Sequence, residues 1–396
     1  MTPASLLVQA LLLVLGLPAT IWAGYLLLLT LLSKRLAVPP TDPNLRFDVI
    51  VPAHNEAGGI ARTVSSLLKL KWPAQQFRIL VVADNCTDAT ADFARAAGAQ
   101  VIERHDLQQR GKGYALDFAF NASRNAGLAD AVVVVDADAE VSSNLLEAIA
   151  ARLAGGAQAV QVHYGVLNPL ASWRTRLITI ANGAVHSLRS RARERLGVSC
   201  GIHGNGWCVT HALLRHVPYR AFSLTEDLEY GIELGLAGYR VAYAEEAHTD
   251  ADMVSSEQNA RSQRQRWERG RFELVRSKTW PLLRAALRQR SKICLDLAFE
   301  LMVLPISYVG MMIGALLICA AIASLWLPAA FWWLCIGGFC AASLVCYVLR
   351  GWQLSGIGWI GILDLARAPG FMLWKLRLLL GGRKSADWER TRREPP

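Results

Sequence analysis

The sequence predicts an α/β domain built on a mainly parallel sheet and flanked by membrane-spanning helices. Three observations predict it. From about residue 46, short β-rich runs alternate with helical stretches. The strand runs are almost continuously apolar, as in parallel sheets covered on both faces. Apolar segments long enough to cross a bilayer stand near both ends of the chain.

At the N-terminus, Leu6 to Leu32 carries no charge. At about 1.5 Å per residue it spans the ~30 Å hydrocarbon core. Lys34 and Arg35 follow directly, and no positive segment precedes. An uncleaved anchor with its N-terminus outside fits this better than a cleaved signal peptide. The anchor is expected over 1–36 and a Pro-rich linker over 37–45. Strands are expected at Phe47 to Val51, Phe77 to Ala83, Ala131 to Val135, Ala159 to Tyr164 and Tyr239 to Ala244. Helices are expected at Ile60 to Leu70 and Thr87 to Ala97. The α/β domain thus runs over 46–280, followed by a basic interfacial segment over 281–292. A membrane region over 293–382 and a basic cytoplasmic tail over 383–396 complete the expected order. Within the membrane region, Ile293 to Leu327 and Phe331 to Leu349 each hold one span, and Leu354 to Leu380 reads as re-entrant or interfacial.

The 396 residues carry a formal charge of +10. Arginines crowd at Arg189, Arg191, Arg193 and Arg195, and again from Arg261 through Arg290. No recognised nucleic-acid motif accompanies them, which argues against nucleic acid as a partner. Membrane lipids with anionic headgroups, and a pyrophosphate, explain the arginines more simply. The eight cysteines include no C-x-x-C pair, so neither a zinc site nor a disulfide framework is indicated.

Parallel sheets bind ligands at the carboxyl ends of their strands, so the residues after each strand run matter most. Four valines lead into Asp136-Ala-Asp138. Two carboxylates two apart on extended chain point the same way. Such a pair suits Mg²⁺ or Mn²⁺ shared with a diphosphate, and the competing reading is a solvated turn. Asp84 closes a second strand run, placed to accept hydrogen bonds from a base or ribose, while Asp88 suits a helix cap. Pro52 and Glu56 follow a third run, with Glu56 either a ligand contact or a first-turn acid. Lys112, between glycines at a helix start, suits an anion or a solvated loop about equally. Ser223 and Glu226 have capping-box spacing, and Asp227 just inside that helix is suited to be a general base. On a helix Gln263 and Arg266 share a face, and Trp267 offers a flat surface for a sugar ring. The alternative is an amphipathic helix at the membrane interface.

Taken together, these residues resemble the family 2 inverting glycosyltransferases of membranes, which include cellulose, chitin and hyaluronan synthases and ceramide glucosyltransferases. The resemblance covers about residues 46 to 280. Its order of motifs is met by Asp84, then Asp136 with Asp138, then Glu226 with Asp227, then Gln263, Arg266 and Trp267. The resemblance implies a GT-A nucleotide-sugar-binding fold, a UDP-sugar donor and Mg²⁺ or Mn²⁺ held by Asp138 with Asp136. It implies donor contacts from Pro52, Glu56, Asp84, Lys112, Gln263 and Arg266. It implies Asp227 as catalytic base and acceptor contacts from Glu226, Trp267 and the loop Gly204, Asn205, Gly206. That loop aligns more loosely, because the family's G-T-G pattern is absent.

About three spanning segments are few for the export channel of a polymer synthase. The sequence therefore points to a metal-dependent hexosyltransferase acting on a lipid or glycan acceptor at a bacterial inner membrane, its catalytic domain cytoplasmic. A processive polysaccharide synthase is the runner-up. A non-catalytic subunit with export-machinery partners, and a small transporter, are the readings from other classes.

Overall fold

The computed structural model describes residues 3–41, 44–253, 257–367 and 370, with the backbone alone for 257–266. The expected tail over 383–396 and the part of Leu354 to Leu380 from 371 onward lie outside the described residues, as do 368 and 369. Eight strands form one sheet: β1 (Phe47–Ala53), β2 (Phe77–Asp84), β3 (Gln100–Arg104), β4 (Ala131–Val134), β5 (Ala139–Val141), β6 (Ala159–Val166), β7 (Trp207–Thr210) and β8 (Val241–Ala251). The helices begin with α1 (Pro3–Leu31), α2 (Ile60–Leu67), α3 (Thr90–Ala96), α4 (Lys112–Ala126) and α5 (Leu145–Ala154). They continue with α6 (Trp173–Asn182), α7 (Ser190–Leu196), α8 (His211–His216), α9 (Glu226–Leu236) and α10 (Glu257–Arg288). Last come α11 (Lys292–Met302), α12 (Ile306–Ser324), α13 (Phe331–Ser355) and α14 (Trp359–Leu365).

The described chain divides into two compact units. One holds residues 35–175 and 193–301 and contains the sheet, in the order β3-β2-β1-β4-β7-β6-β8-β5. Strands β3, β2, β1 and β4 are parallel, whereas β7 runs antiparallel to both β4 and β6. Buried side chains cover both faces. Val49, Val51, Val81 and Val133 pack on one side with Ile60 and Val64 of α2, and Ile50, Val82, Val132 and Val134 pack on the other with Leu116 and Phe120 of α4. This alternation along strands that are apolar on both faces is why the four successive valines make a central strand.

The other unit groups 3–34, 176–192 and the described residues from 302 onward. It contains three helices long and apolar enough to cross a membrane: Pro3–Leu31, Ile306–Ser324 and Pro328–Ser355. Residues 176–192, which sequence reading places within the 46–280 domain, group with these helices.

Several expectations are corrected. The D-x-D segment is not extended chain: β4 stops at Val134, and Asp136 to Ala139 form a turn closed by the Ala139 amide donating to Asp136 O at 3.1 Å. Ser223 and Glu226 form no capping box, because Thr225 is the N-cap of α9 and the Ser223 amide donates to Glu229 Oε2 at 3.1 Å. Nor are all the clustered arginines free for headgroups. Arg193 is buried between Asp296 and Glu300, at 3.1 and 2.9 Å, and Arg189 is buried and donates to the Tyr347 hydroxyl at 2.7 Å. A guanidinium inside protein needs such partners, so these arginines hold helices together. Strands β3, β5 and β7 were not foreseen.

Candidate active site

The site lies at the carboxyl ends of β2, β1 and β4. Parallel pairing puts the ends of these three neighbours on one edge of the sheet. Because β7 is antiparallel to β4, with Trp207 opposite Val134, the chain entering β7 reaches the same edge. The sheet therefore brings Gly204, Asn205 and Gly206 beside Asp136. Asn205 is fully buried, and its Oδ1 accepts from the Asp136 amide at 3.1 Å. Gln161 of β6 secures this loop from beneath, accepting from the His203 amide at 2.9 Å and donating to Asn205 O at 2.7 Å.

Lys112, the first residue of α4, is central. Its Nζ donates to Asp136 Oδ1 at 2.5 Å and to Gly204 O at 2.7 Å, and stands 3.8 Å from Glu226 Oε1. Burial opposes the ammonium charge, but Asp136, Glu226 and Asp227 around it hold its pKa above the ordinary lysine range. So Lys112 is not a solvated loop residue. Gly113 beside it is required by packing, since a Cβ there would lie 2.3 Å from Ala221 O.

Glu226 and Asp227 open the first turn of α9. Burial raises the pKa of both carboxyls, and Lys112 works against that rise. Asp227 faces Gly204, where a Cβ would stand 3.1 Å from Asp227 Oδ2 and where φ is +84°. Tyr164, near the end of β6, ties the acids together: burial, then Asp136, Asp138 and Asp227, push its hydroxyl well above the usual tyrosine value. One ring thus feels the field of all three carboxylates.

Asp84 ends β2, two strand positions from β4 and so about 10 Å away across the edge. Its buried carboxylate accepts from Arg104 Nη1 at 2.7 Å. Pro52 lies within β1 and Glu56 just after it, where the Glu56 amide donates to Thr90 Oγ1 at 2.7 Å. Asp88 precedes Ala89, the N-cap of α3, and is not the cap itself; its Oδ1 accepts from the Thr90 amide at 3.0 Å. Both strand ends turn through asparagine with positive φ, Asn55 at 57° and Asn85 at 51°, a conformation asparagine tolerates better than most residues.

The side chains of Gln263 and Arg266 lie outside the described residues. Trp267 is exposed. One turn further along α10, Gly270 meets the start of α9: a Cβ there would lie 2.7 Å from Thr225 Cγ2. Close backbone approach at Gly270 therefore sets the Trp267 turn beside the helix that carries Asp227. Sequence reasoning missed Arg104, Gln161 and Tyr164. Tyr164 ends an expected strand run, where the rule about strand ends applied to it.

A model of the family described as "Glycosyltransferase like family 2" matches residues 43–270, more than half of the chain. The chain belongs to that family. The chain is 28% identical over 243 residues to a Synechocystis protein named beta-monoglucosyldiacylglycerol synthase, covering 59% of this chain and 49% of that one. It is 25% identical over 239 residues to a probable glycosyltransferase, YdaM, of Bacillus subtilis, covering 58% of this chain and 56% of that one. The chain thus spans about half the length of the curated relatives it matches. Its fold is that of a Pyrobaculum calidifontis mannosyltransferase solved with GDP-Man and Mn²⁺, with a TM-score of 0.53, 19% identity, and coverage of 85% of this chain and 98% of that one. The chain accordingly has a GT-A-like fold with a mixed, mostly parallel sheet.

Proposed function

We propose that this glycosyltransferase moves a hexose or N-acetylhexosamine from a UDP-sugar to a lipid or lipid-linked acceptor at the cytoplasmic membrane face, with inversion to a β-linkage. The observation that carries this reading is the convergence of Lys112, Asp136, Glu226 and Asp227 at one sheet edge, within reach of a single ligand.

Each group has a part. Asp84, oriented by Arg104, accepts hydrogen bonds from the nucleoside, with Pro52 and Glu56 on the neighbouring strand end. Asp136 and Asp138 fit Mg²⁺ or Mn²⁺: they are hard oxygen donors on a tight turn. They would hold the ion jointly with the diphosphate of the donor. When bound, the ion supplies positive charge to the departing diphosphate. Lys112 adds its ammonium to the same charge. The acceptor hydroxyl oxygen attacks the anomeric carbon, the bond to UDP breaks with its electron pair on the β-phosphate oxygen, and the hydroxyl proton passes to Asp227. A buried carboxylate with a raised pKa is a stronger base than an exposed one, which suits Asp227 to that transfer. Glu226, the Gly204 loop and Trp267 serve the acceptor, and Gln263 and Arg266 are assigned to the donor.

The name of the Synechocystis relative, a monoglucosyldiacylglycerol synthase, and the three apolar helices support a lipid acceptor over a soluble one. Membranes holding the enzyme are incubated with radiolabelled UDP-glucose and UDP-N-acetylglucosamine. Label in a chloroform-extractable lipid is expected. Label confined to high-molecular-weight material would move the reading to a polymer synthase, and no UDP release with any donor would end it.

A further inference from the structure

Helix α2 lies beside the turn that carries Asp138 and touches it at three backbone positions. Thr63, fully buried, donates its hydroxyl to Ala137 O at 2.9 Å. Arg62 Nη2 donates to Asp138 O at 3.2 Å, and the same guanidinium pairs with Asp252 at 2.6 Å and Glu140 at 3.5 Å. Ser66 Oγ accepts from the Val141 amide at 3.4 Å and donates to Thr63 O at 2.8 Å. Residues 62, 63 and 66 share one helix face, so a single rigid turn of helix grips residues 137 to 141. On the other side, Asn205 holds the Asp136 amide.

We propose that Arg62 and Thr63 are positioning residues for donor binding: they fix the direction of the Asp138 carboxylate by holding the two successive carbonyls of its turn. A tight turn exposes its carbonyls, and a buried carbonyl left without a donor pulls the backbone toward another partner. Arg62 also joins that turn to Asp252, at the end of the β8 region from which the chain proceeds to α10. The turn is therefore referenced both to the core and to the strand that leads to the acceptor side. The inference rests on the reading of Asp136 and Asp138 as the diphosphate-metal turn.

The test is calorimetric binding of UDP to detergent-purified full-length enzyme at a series of Mn²⁺ concentrations. It compares wild type with Thr63→Val, Thr63→Ser and Arg62→Met. Thr63→Val keeps the shape and removes the donor. Removing groups that orient metal ligands costs about 10- to 100-fold in metal affinity. We expect Thr63→Val to raise the Mn²⁺ concentration for half-saturation of UDP binding about tenfold, and Thr63→Ser to restore it. Arg62 is partly exposed, so Arg62→Met keeps the core intact and decides the matter if Thr63→Val fails to fold. Wild-type Mn²⁺ dependence in both Thr63→Val and Arg62→Met overturns the clamp. Wild-type enzyme that binds UDP equally with and without Mn²⁺ overturns the donor-turn reading itself, and the clamp with it.

Discussion

Asp227 sits where burial raises its pKa and Lys112 lowers it, so the lysine sets how readily the aspartate loses its proton. Two predictions follow at the scale of single residues. Asp227→Asn keeps the shape but cannot take a proton; turnover should fall by about 10²–10⁴-fold while UDP binding stays near wild type. Near wild-type UDP release from the asparagine variant would remove Asp227 from the mechanism. The second concerns pH. A general base works unprotonated, so the rate falls as pH drops through its pKa. Burial moves that limb above the ordinary aspartate value of about 4. Lys112→Met removes the cation that favours the charged form, so the limb should move to still higher pH. A pH–rate profile of Lys112→Met with its limb unmoved or lower would show that the lysine does not govern the acids.

Among the elements, α9 and α10 carry residues proposed for the acceptor side. Their contact is the Gly270 backbone against Thr225, the N-cap of α9. Gly270→Ala gains up to ~1 kcal/mol of helix propensity. Its Cβ, however, would meet Thr225 Cγ2 at 2.7 Å and Oγ1 at 2.9 Å, and a short β-branched side chain has little room to withdraw. Overpacking of this kind costs about 1–3 kcal/mol. Gly270→Ala should therefore lower the urea midpoint and reduce turnover more than donor affinity; equal stability and wild-type turnover would mean the contact is slack. Legibility in the sequence follows the same physics. The central strands were readable because valine runs leave few other solutions, and the strand-end position of Asp84 and the helix-start positions of Lys112 and Asp227 were readable because such ends are marked locally, although Lys112 was left equally open to a solvated loop. Strand β3, Gln100 to Arg104, was not, since an edge strand with two charged residues lacks the apolar signal. Strand β7 has only four residues. The turn at D-x-D, read as extended chain, was not legible because it is set by Thr63 and Asn205, each more than 60 residues away in the chain. Pairings such as Arg104 with Asp84 come from strand order, which no local pattern encodes.

At the scale of the molecule, the apolar unit fixes its own helix directions. Trp333, near the start of α13, donates to Gln9 Oε1 near the start of α1 at 2.8 Å. At the other end, Arg350 of α13 donates to Ser33 Oγ at 3.0 Å and Ser33 O at 3.1 Å, just beyond the end of α1. So α1 and α13 run parallel, and α12, joined to α13 by the short turn at 325–330, runs against them. Their shared interior includes Leu12, Ala19, Val309, Ile313 and Cys340. Lys34 and Arg350 belong to one end of this bundle, and the 325–330 turn at the other end carries no charge. Lysine and arginine stay on the cytoplasmic side, which in the proposed orientation puts residues 35 onward inside and the 325–330 turn outside. In a background with the native cysteines replaced by serine, Trp326→Cys should react with a membrane-impermeant maleimide in intact cells. Gln75→Cys, exposed on the sheet-bearing unit, should react only after the membrane is opened. The reverse pattern would place the sheet-bearing unit outside, where no cytoplasmic nucleotide-sugar reaches it, and the proposed donor chemistry would fall with the topology.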